Sequence, residues 1–392
     1  MKKPASVWIA FLGLASLGIT DGMLGVAWPS MRGDFNVSLD ALGTLLLPAV
    51  AAYTLASAYS GALVRRFSLG QLLILGAALR TIGVASQSLA PYWGFMIAAV
   101  MVNGMGSASI DAGLNNYMAA NQTARNMNWM HGFYGVGITL GPLLVTRVLL
   151  VGQSWRWSYA VAASIQLLLL VLFIATRDRW GGVEIADPAQ KEEQQASMRA
   201  TLGRPVVWLG ILMFFLYTGT EVGAGQWAFT LFTEGRGADV ALAGYWVSGY
   251  WGSFTAGRFL LGAISDRLNL NGLLRACMVG SLIGLGLLWW NPVPLAGFLG
   301  LAFAGLSMAV VFPVLMSNTP VRVGRAHAAN AIGLQVAFAG VGVGLLVGGV
   351  GWLAENAGLE SIPPFLFAMA LLMLLCYEGA QLLSQRKGYS AR

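Results

Sequence analysis

A carboxylate and an amide interrupt an otherwise apolar helical run in the first third of the chain. Asp111 and Asn115 are four residues apart, so they share one face of a helix. A charged side chain inside a bilayer is costly, and such residues usually face a cavity or a partner. Glycines at positions 104, 106 and 113 thin the same helix and allow a neighbour or a ligand to approach its backbone. The run therefore predicts a polar site within an apolar protein.

The composition is that of a polytopic membrane protein. The 392 residues are 57% hydrophobic and 10% charged, with a mean hydropathy of +0.68, so they offer too little polar surface for a soluble globule. The first apolar run carries Asp21 and lacks a small-residue cleavage site, which favours a retained helix over a signal peptide. The formal net charge of +7 is scattered through short loops, a pattern of membrane topology rather than of nucleic-acid binding.

Twelve apolar stretches reach the length of about 20 residues that a membrane-spanning helix needs. An all-α membrane fold with twelve transmembrane helices is therefore expected. Residues 177–203 are polar and suit a solvated linker or an interfacial helix, so they divide the chain into a six-helix bundle at 1–176 and a second at 204–392. The predicted spans are 7–29, 39–62, 70–89, 93–119, 127–150, 155–176, 204–232, 241–263, 271–290, 294–318, 327–353 and 362–384.

The two six-span halves repeat each other at an offset of about 200 residues. Asp21, which follows a threonine and precedes a glycine by four residues, is echoed by Glu221 in the same setting. The ends of spans 2 and 8 match as well. Parallel halves related by an axis along the membrane normal are typical of transporters. We therefore expect two pseudo-symmetric bundles and treat both acids as candidate coupling residues.

The end of span 8 resembles the signature loop of the major facilitator superfamily, G-x3-D-R-x-G-R. Gly262, Asp266 and Arg267 supply its gating positions, whereas Arg65 stands where the first-half copy would have the acid. The resemblance covers essentially the whole chain. It implies that superfamily's fold and alternating access, with no enzymatic activity and no cofactor; the sequence likewise contains no P-loop, zinc-site spacing or nucleophile elbow.

Within the superfamily the chain is most similar to the fucose:proton symporter branch and the related sodium-dependent glucose transporter-like proteins. Span 4 of that branch carries G-x-G, then an acid, then an Asn, as in the run that contains Asp111 and Asn115. Span 5 resembles the branch at His131 and Phe133, while Tyr134 stands where the fucose symporters carry an Asn. The resemblance implies a monosaccharide substrate and coupling to H⁺ or Na⁺.

Several other polar and aromatic residues lie at depths suited to a sugar, because amides grip hydroxyl groups and aromatic rings stack on pyranose faces. Arg80 in span 3 is expected to form a buried ion pair with Asp21 or Asp111. The candidate coupling residues are thus Asp21, Asp111 and Glu221, and the candidate solute ligands are Asn115, Asn116, His131, Tyr134, Gln226, Trp227, Tyr250, Trp251, Asn318 and Gln335.

Three functions fit these features. The first is a secondary active transporter that carries a small polyhydroxylated solute across an inner membrane, as a monomer in the lipid bilayer, driven by H⁺ or Na⁺. The second is a proton-driven exporter of amphipathic or drug-like compounds, which the bend expected at Gly141 and Pro142 keeps open. The third is a membrane sensor without turnover, which no large soluble domain supports.

The distribution of Lys and Arg gives a testable orientation. Of the 23 basic residues, 18 fall at one side of the predicted spans and 4 at the other, which places both termini and the linker in the cytoplasm. Cysteines introduced at Lys191 or Arg322 should be shielded from impermeant reagents in intact cells, and one at Arg236 should react. The reverse labelling pattern would contradict this topology.

Overall fold

The protein, described by a computed structural model over residues 4–66, 68–180, 196–264 and 269–386, is built from helices. Short 3-10 turns cover Arg177–Arg179 and Leu359–Ser361, and a π-helical turn covers Leu231–Gly235. In chain order the α-helices are α1 Pro4–Phe35, α2 Ala41–Arg66, α3 Leu69–Leu89, α4 Trp93–Asn121, α5 Ala124–Leu150, α6 Arg156–Ala175, α7 Met198–Leu202, α8 Pro205–Thr230, α9 Val240–Ile264, α10 Leu270–Trp290, α11 Pro294–Met308, α12 Val311–Ser317, α13 Thr319–Val323, α14 Arg325–Ala357 and α15 Ile362–Arg386.

The helices have the length and composition of membrane spans. Over the described residues, eleven stretches are long and apolar enough to cross a bilayer, and α9, at 25 residues, has spanning length as well. All backbone hydrogen bonds of such a helix are made within it, as the hydrocarbon interior requires. The predicted all-α membrane fold is therefore confirmed.

One predicted span, 294–318, is not a single continuous helix. A turn at Ala309 and Val310 separates α11 from α12. Pro313 has no N–H to donate to the carbonyl four residues earlier, and its ring would press against that carbonyl, so the helix breaks there. The span predicted at 294–318 is nevertheless confirmed, because Pro294–Ser317 as a whole is long and apolar enough to cross a bilayer.

The helices pack into two units. The first contains Met1–Ile185 together with Gln226–Gly252, and the second contains Ala186–Gly225 together with Ser253–Arg392. The first unit thus takes in the end of α8 and the first half of α9 as well as α1 to α6. The bundle boundaries expected from the sequence stay a prediction.

The last part of the predicted linker is attached to the second unit. The hydroxyl of Ser197 caps α7, accepting a hydrogen bond from a backbone N–H. The backbone N–H of Ala196 donates to the carbonyl of Ala326 at 2.9 Å, and Asn330 donates to the carbonyl of Ala196 at 2.8 Å. This segment is therefore anchored to α14, while residues 181–195 lie outside the described part of the chain.

Glycines bring α1 and α5 into backbone contact. Gly18 and Gly22 lie one turn apart on α1, and Gly137 and Gly141 lie one turn apart on α5. A methyl group built on any of these four glycines would overlap a carbonyl oxygen of the opposite helix. This is the close approach that small residues four apart permit between membrane helices. It fixes Asp21 on α1 beside the start of α5.

The glycines of α4 play the same part for α2 and α3. A methyl group on Gly104 would lie 2.7 Å from the carbonyl oxygen of Ala49 on α2, and one on Gly106 would lie 2.6 Å from that of Gly76 on α3. The close approach expected at these positions is thus made by neighbouring helices. Asp111 is held next to both of them as a result.

Replacing Gly137 with alanine should destabilise the protein, because the added methyl group forces α1 and α5 apart. Overpacking of this kind costs about 1–3 kcal/mol. Gly33→Ala on α1 is the matched control, since no atom lies within 4 Å of the added methyl group. Thermal unfolding in detergent should show a lower midpoint for Gly137→Ala only. Equal midpoints for the two variants would refute the close contact.

Candidate functional site

Asp111 is held by two hydrogen-bond donors from two helices. Tyr53 on α2 donates its hydroxyl to Asp111 Oδ2 at 2.7 Å. The side-chain amide of Asn115 donates to Asp111 Oδ1 at 2.8 Å and to the backbone carbonyl of Asp111 at 2.9 Å. Both carboxylate oxygens of Asp111 are therefore occupied by donors.

The orientation of Asn115 also decides which ring nitrogen of His131 is protonated. Since the amide N–H groups of Asn115 point to Asp111, its Oδ1 is left to face His131 Nε2 on α5, at 3.0 Å. An amide oxygen only accepts, so Nε2 must be protonated and must donate. Tyr53, Asp111, Asn115 and His131 therefore form one hydrogen-bonded row across α2, α4 and α5.

Asp21 is bound differently from Asp111. Tyr134 donates its hydroxyl to Asp21 Oδ2 at 3.0 Å. It follows His131 by three residues and so lies on the same face of α5. The structure gives this carboxylate no other hydrogen-bond donor among the described residues, and the Asp21 side chain is exposed. One of its oxygens is therefore left open to a proton, a cation or a solute.

Arg80 is completely buried, and its direct partners are neutral. Its guanidinium donates to Thr20 Oγ1 at 2.8 Å, to the backbone carbonyl of Ser16 at 3.3 Å and to the hydroxyl of Ser107. No carboxylate of a described residue lies within 4.0 Å of it, so the direct ion pair predicted with Asp21 or Asp111 is not formed. The predicted pairing overlooked the hydroxyl and carbonyl groups that α1 and α4 present to this side chain.

The three charged groups nevertheless act on one another. Asp21 is within electrostatic reach of both Arg80 and Asp111. Asp21 thus lies between a buried cation and a second carboxylate. Adding or removing one proton or one cation changes the balance of this cluster, which is the condition for coupling a charge to a conformational equilibrium.

Gln226 is the one predicted ligand from the second half of the chain that joins this site. Its Nε2 donates to the backbone carbonyl of Asp21 at 3.3 Å, while its Oε1 is buried without a hydrogen-bond partner. A buried acceptor without a donor costs about 1–3 kcal/mol, unless water or a ligand supplies one. Gln226 Oε1 is thus available to accept a hydrogen bond from a hydroxyl group.

Other predicted ligands are placed elsewhere. Trp227, Tyr250 and Trp251 are 0–2% exposed, and the rings of Tyr250 and Trp251 pack edge to face at 4.9 Å. They present no accessible face on which a sugar could stack, because aromatic rings in these helices fill the packing between neighbours. Asn116 is exposed and makes no hydrogen bond to a described residue, so it does not join the row on α4.

Asn318 and Gln335 belong to the second unit. Gln335 is 3% exposed and accepts a hydrogen bond from Thr319 at 3.0 Å, which joins α13 to α14. Of the predicted gating positions, Gly262 lies in the last turn of α9, whereas Asp266 and Arg267 lie outside the described residues.

Glu221 has its own surroundings within the second unit. Tyr217, one turn earlier on α8, and Arg258 on α9 are its polar neighbours. The Tyr217 hydroxyl donates to the backbone carbonyl of Met308 at 3.0 Å. The guanidinium of Arg258 also lies over the ring of Phe254, with Cζ at 4.5 Å from the centroid.

Several residues of the site were not found from the sequence. Tyr53, the donor to Asp111, is separated from it by 58 residues, and no local pattern singles it out. Gly18 and Gly22 could have been found, because two glycines four apart in an apolar run are the usual mark of a close helix contact. No cluster of three or more His, Cys, Asp or Glu side chains suited to a metal occurs among the described residues.

An all-helical fold of membrane spans, with a charged and hydroxyl-rich site held between helices of one unit, defines a membrane transporter. A family model described as Major Facilitator Superfamily matches residues 10–347, and the chain belongs to that superfamily. The resemblance seen in its sequence motifs is thereby confirmed.

Known relatives refine this picture. The chain is 23% identical over 344 residues to sodium-dependent glucose transporter 1 of Homo sapiens, covering 78% of this chain and 64% of that protein. It is 20% identical over 351 residues to a glucose/mannose transporter of Bacillus subtilis (strain 168), covering 86% and 85%. A solved structure of a mutant nucleoside transporter NupG shares the fold, with a TM-score of 0.77, 12% identity and coverage of 95% and 98%. These similarities support the sugar-transporter-like branch.

The neutral partners of Arg80 can be tested with a double-mutant cycle. Thr20→Val keeps the shape of the side chain but removes the hydroxyl that accepts from Arg80, and Arg80→Met removes the donor. The loss of unfolding free energy in the double mutant should be about 1 kcal/mol smaller than the sum of the two single losses, because each single change already removes the same hydrogen bond. Arg147→Met, at an exposed arginine of α5, is the control and should add independently to Thr20→Val. Strict additivity of Arg80→Met and Thr20→Val would refute the contact.

Proposed function

We propose that this transporter moves a small polyhydroxylated solute, most simply a hexose, by alternating access driven by a proton gradient. The observation that carries the proposal is the pair of neighbouring carboxylates, Asp21 and Asp111, the first of which lies within electrostatic reach of the buried guanidinium of Arg80. Sugar transport by two relatives supports the substrate class. The basic residues support a bacterial-type inner membrane with both termini in the cytoplasm, and a monomer is the simplest state.

The surroundings of the carboxylates favour H⁺ over Na⁺. A hard cation needs about five or six oxygen ligands whose lone pairs point towards it. Asp111 instead faces a hydroxyl donor and an amide donor, and Asp21 faces a hydroxyl donor with a guanidinium nearby. A proton needs only one open carboxylate oxygen, which Asp21 has.

The two acids therefore take different parts in the proposal. Asp21 exchanges the proton, because it is exposed and keeps one oxygen without a donor. Asp111 has donors on both of its oxygens and orients Asn115 and His131, whose Nε2–H is already used inside the row. Solute hydroxyl groups would bind along this row and against Gln226. Glu221 stays a predicted coupling residue of the second unit.

The proton-driven exporter stays the alternative, on the bend expected at Gly141 and Pro142 and on the abundance of Met and aromatic residues. Gly141, which with Pro142 suggested a bend, is one of the glycines that carry the contact between α1 and α5. A packing role accounts for that glycine without an export function. No other observation on the site favours a drug-like cargo.

Transport by the purified full chain in proteoliposomes tests the proposal. With D-glucose as the first solute, an imposed inward proton gradient should drive accumulation, whereas a sodium gradient at constant pH should not. Asp21→Asn should abolish accumulation and retain counterflow of pre-equilibrated solute, because the fixed neutral side chain still permits the conformational cycle. Wild-type accumulation in Asp21→Asn would remove this residue from the coupling.

Asp111→Asn should instead weaken solute binding. Losing a charge-assisted hydrogen bond is worth about 1.5–3 kcal/mol, so KM for counterflow should rise about tenfold to hundredfold. Asp178→Asn is the matched control, because that carboxylate lies at the surface with a side chain that is 90% exposed. An unchanged KM in Asp111→Asn, or no flux of any monosaccharide in the wild type, would contradict the proposed solute site.

A further inference from the structure

Arg258, in the second unit, has hydrogen-bonding capacity that no described neighbour uses. It lies on α9, well before the helix ends at Ile264, and so within a segment of spanning length. Its Nε is buried without a hydrogen-bond partner, and the structure gives its guanidinium no acceptor and no ion pair among the described residues. A guanidinium carries five N–H donors and stays charged, and a charge within a membrane span usually marks a functional site.

The guanidinium of Arg258 is turned into the span rather than towards the end of the helix. Its Cζ lies 4.5 Å from the centroid of the Phe254 ring, one turn earlier on α9. Side chains on a helix point towards its N-terminus, and this contact follows that direction. An arginine that only anchored the helix end would instead extend to the membrane interface. Phe254 is 2% exposed, so its ring is a fixed support for the cation.

Close packing of α9 against α11 fixes the position of Arg258. A methyl group on Gly257, the preceding residue, would lie 2.7 Å from the carbonyl oxygen of Leu306. One turn earlier on α9, Ser253 donates its hydroxyl to the carbonyl of Ala302 at 2.6 Å. Because α9 cannot turn or move away from α11 without losing these contacts, the backbone of Arg258 is held in one place.

One acid acts on Arg258 from a distance. Glu221 on α8 interacts with it electrostatically, but within the described part of the chain the two side chains form no ion pair. Tyr217, one turn before Glu221, donates to the carbonyl of Met308 at the end of α11. α8 is thus attached to α11 through Tyr217, and α9 is attached to the same helix beside Arg258. These attachments set the separation of the acid from the guanidinium, whose N–H groups stay open.

These features suit an oxyanion as ligand. A planar guanidinium binds a carboxylate or a phosphate group through two parallel hydrogen bonds. A neutral hydroxyl group would satisfy one donor of Arg258 but would supply no counter-charge. Glu221 reduces the net positive charge at this position, so removing the charge of that acid should strengthen the binding of an anion.

We propose that Arg258 forms an oxyanion-binding site in the second unit and that the negative charge of Glu221 limits its affinity. The ligand is a small oxyanion, supplied either by the carboxylate group of an acidic sugar or by free inorganic phosphate. Arg258 donates two N–H groups to it, while Phe254 supports the guanidinium from below. The site goes beyond the hexose transport proposed above, because none of its residues belongs to the row of polar residues in the first unit.

Ligand binding by the purified full chain in detergent tests the site without any gradient or flux. Thermal unfolding is followed with sodium D-glucuronate, with inorganic phosphate, and with D-glucose as the neutral comparison, all at equal ionic strength. A ligand that binds only the folded protein raises the unfolding midpoint, and its Kd follows from the concentration dependence. At least one of the two anions should raise the midpoint saturably. A rise with D-glucuronate alone assigns the site to an acidic sugar, and a rise with phosphate alone assigns it to the free ion.

Variants at the site and away from it test the part played by Arg258. Arg258→Gln should raise the Kd of the anion about tenfold to hundredfold, because charge-assisted hydrogen bonds are lost. Arg258→Lys keeps the charge without the planar fork and should bind with intermediate affinity. Glu221→Gln should lower the Kd about threefold to tenfold. Arg325→Gln is the matched control, because Arg325 is an exposed arginine at the start of α14 in the same unit, and it should leave the Kd unchanged.

The absence of a saturable effect of either anion on the wild type would overturn the site, and this measurement does not depend on the folding of any variant. A wild-type Kd in Arg258→Gln would do the same, as would an equal loss of binding in Arg325→Gln or an Arg258-dependent effect of D-glucose as large as that of D-glucuronate. If Arg258→Gln does not fold, Arg258→Lys and Glu221→Gln still test the site. Hexose flux in proteoliposomes without anion binding would leave the transport function standing and remove only this site.

Discussion

The backbone contact between α1 and α5 is the constraint on which the site depends. Gly18 and Gly22 meet Gly137 and Gly141 with no side chains between the helices. In a bilayer, where lipid is as apolar as leucine, such close packing supplies much of the attraction between helices. The contact also fixes Asp21 opposite Tyr134, and through α5 it fixes His131 opposite Asn115. If α1 and α5 were farther apart at this point, Asp21 and Asp111 would no longer be held close to each other.

The polar groups of the first unit are satisfied in an order that follows from their chemistry. Asn115 must point its amide at Asp111, because only the amide can donate to a carboxylate and to a carbonyl. His131 must then donate to the remaining amide oxygen. Each orientation forces the next, so this row is rigid although its members come from three helices. Rigidity of this kind suits a site that must distinguish one arrangement of hydroxyl groups from another.

The buried guanidinium of Arg80 explains how two acids can coexist in an apolar setting. An isolated charge is very costly at such depth, and direct pairing is the usual remedy. Here hydroxyl and carbonyl groups of α1 and α4 solvate the cation, and Asp21 interacts with it from a distance. Because Asp21 is not locked in a direct ion pair with Arg80, it can change its charge without breaking a salt bridge. This leaves Asp21 open for exchange in a way that a tight ion pair would not allow.

The sequence by itself determined the class of fold, since twelve apolar stretches of spanning length leave the backbone little choice but helices that cross a bilayer. It also singled out Asp21, Asp111, Asn115, His131 and Tyr134, because polar residues in apolar runs stand out against their neighbours. Tertiary structure decided which of them touch. Tyr53 and Arg32 gain their contacts from partners 58 and 202 residues away, and the ring of Trp227 is buried among its neighbours. Such partners depend on how closely helices approach and how they are rotated, which periodicity along one chain segment does not encode.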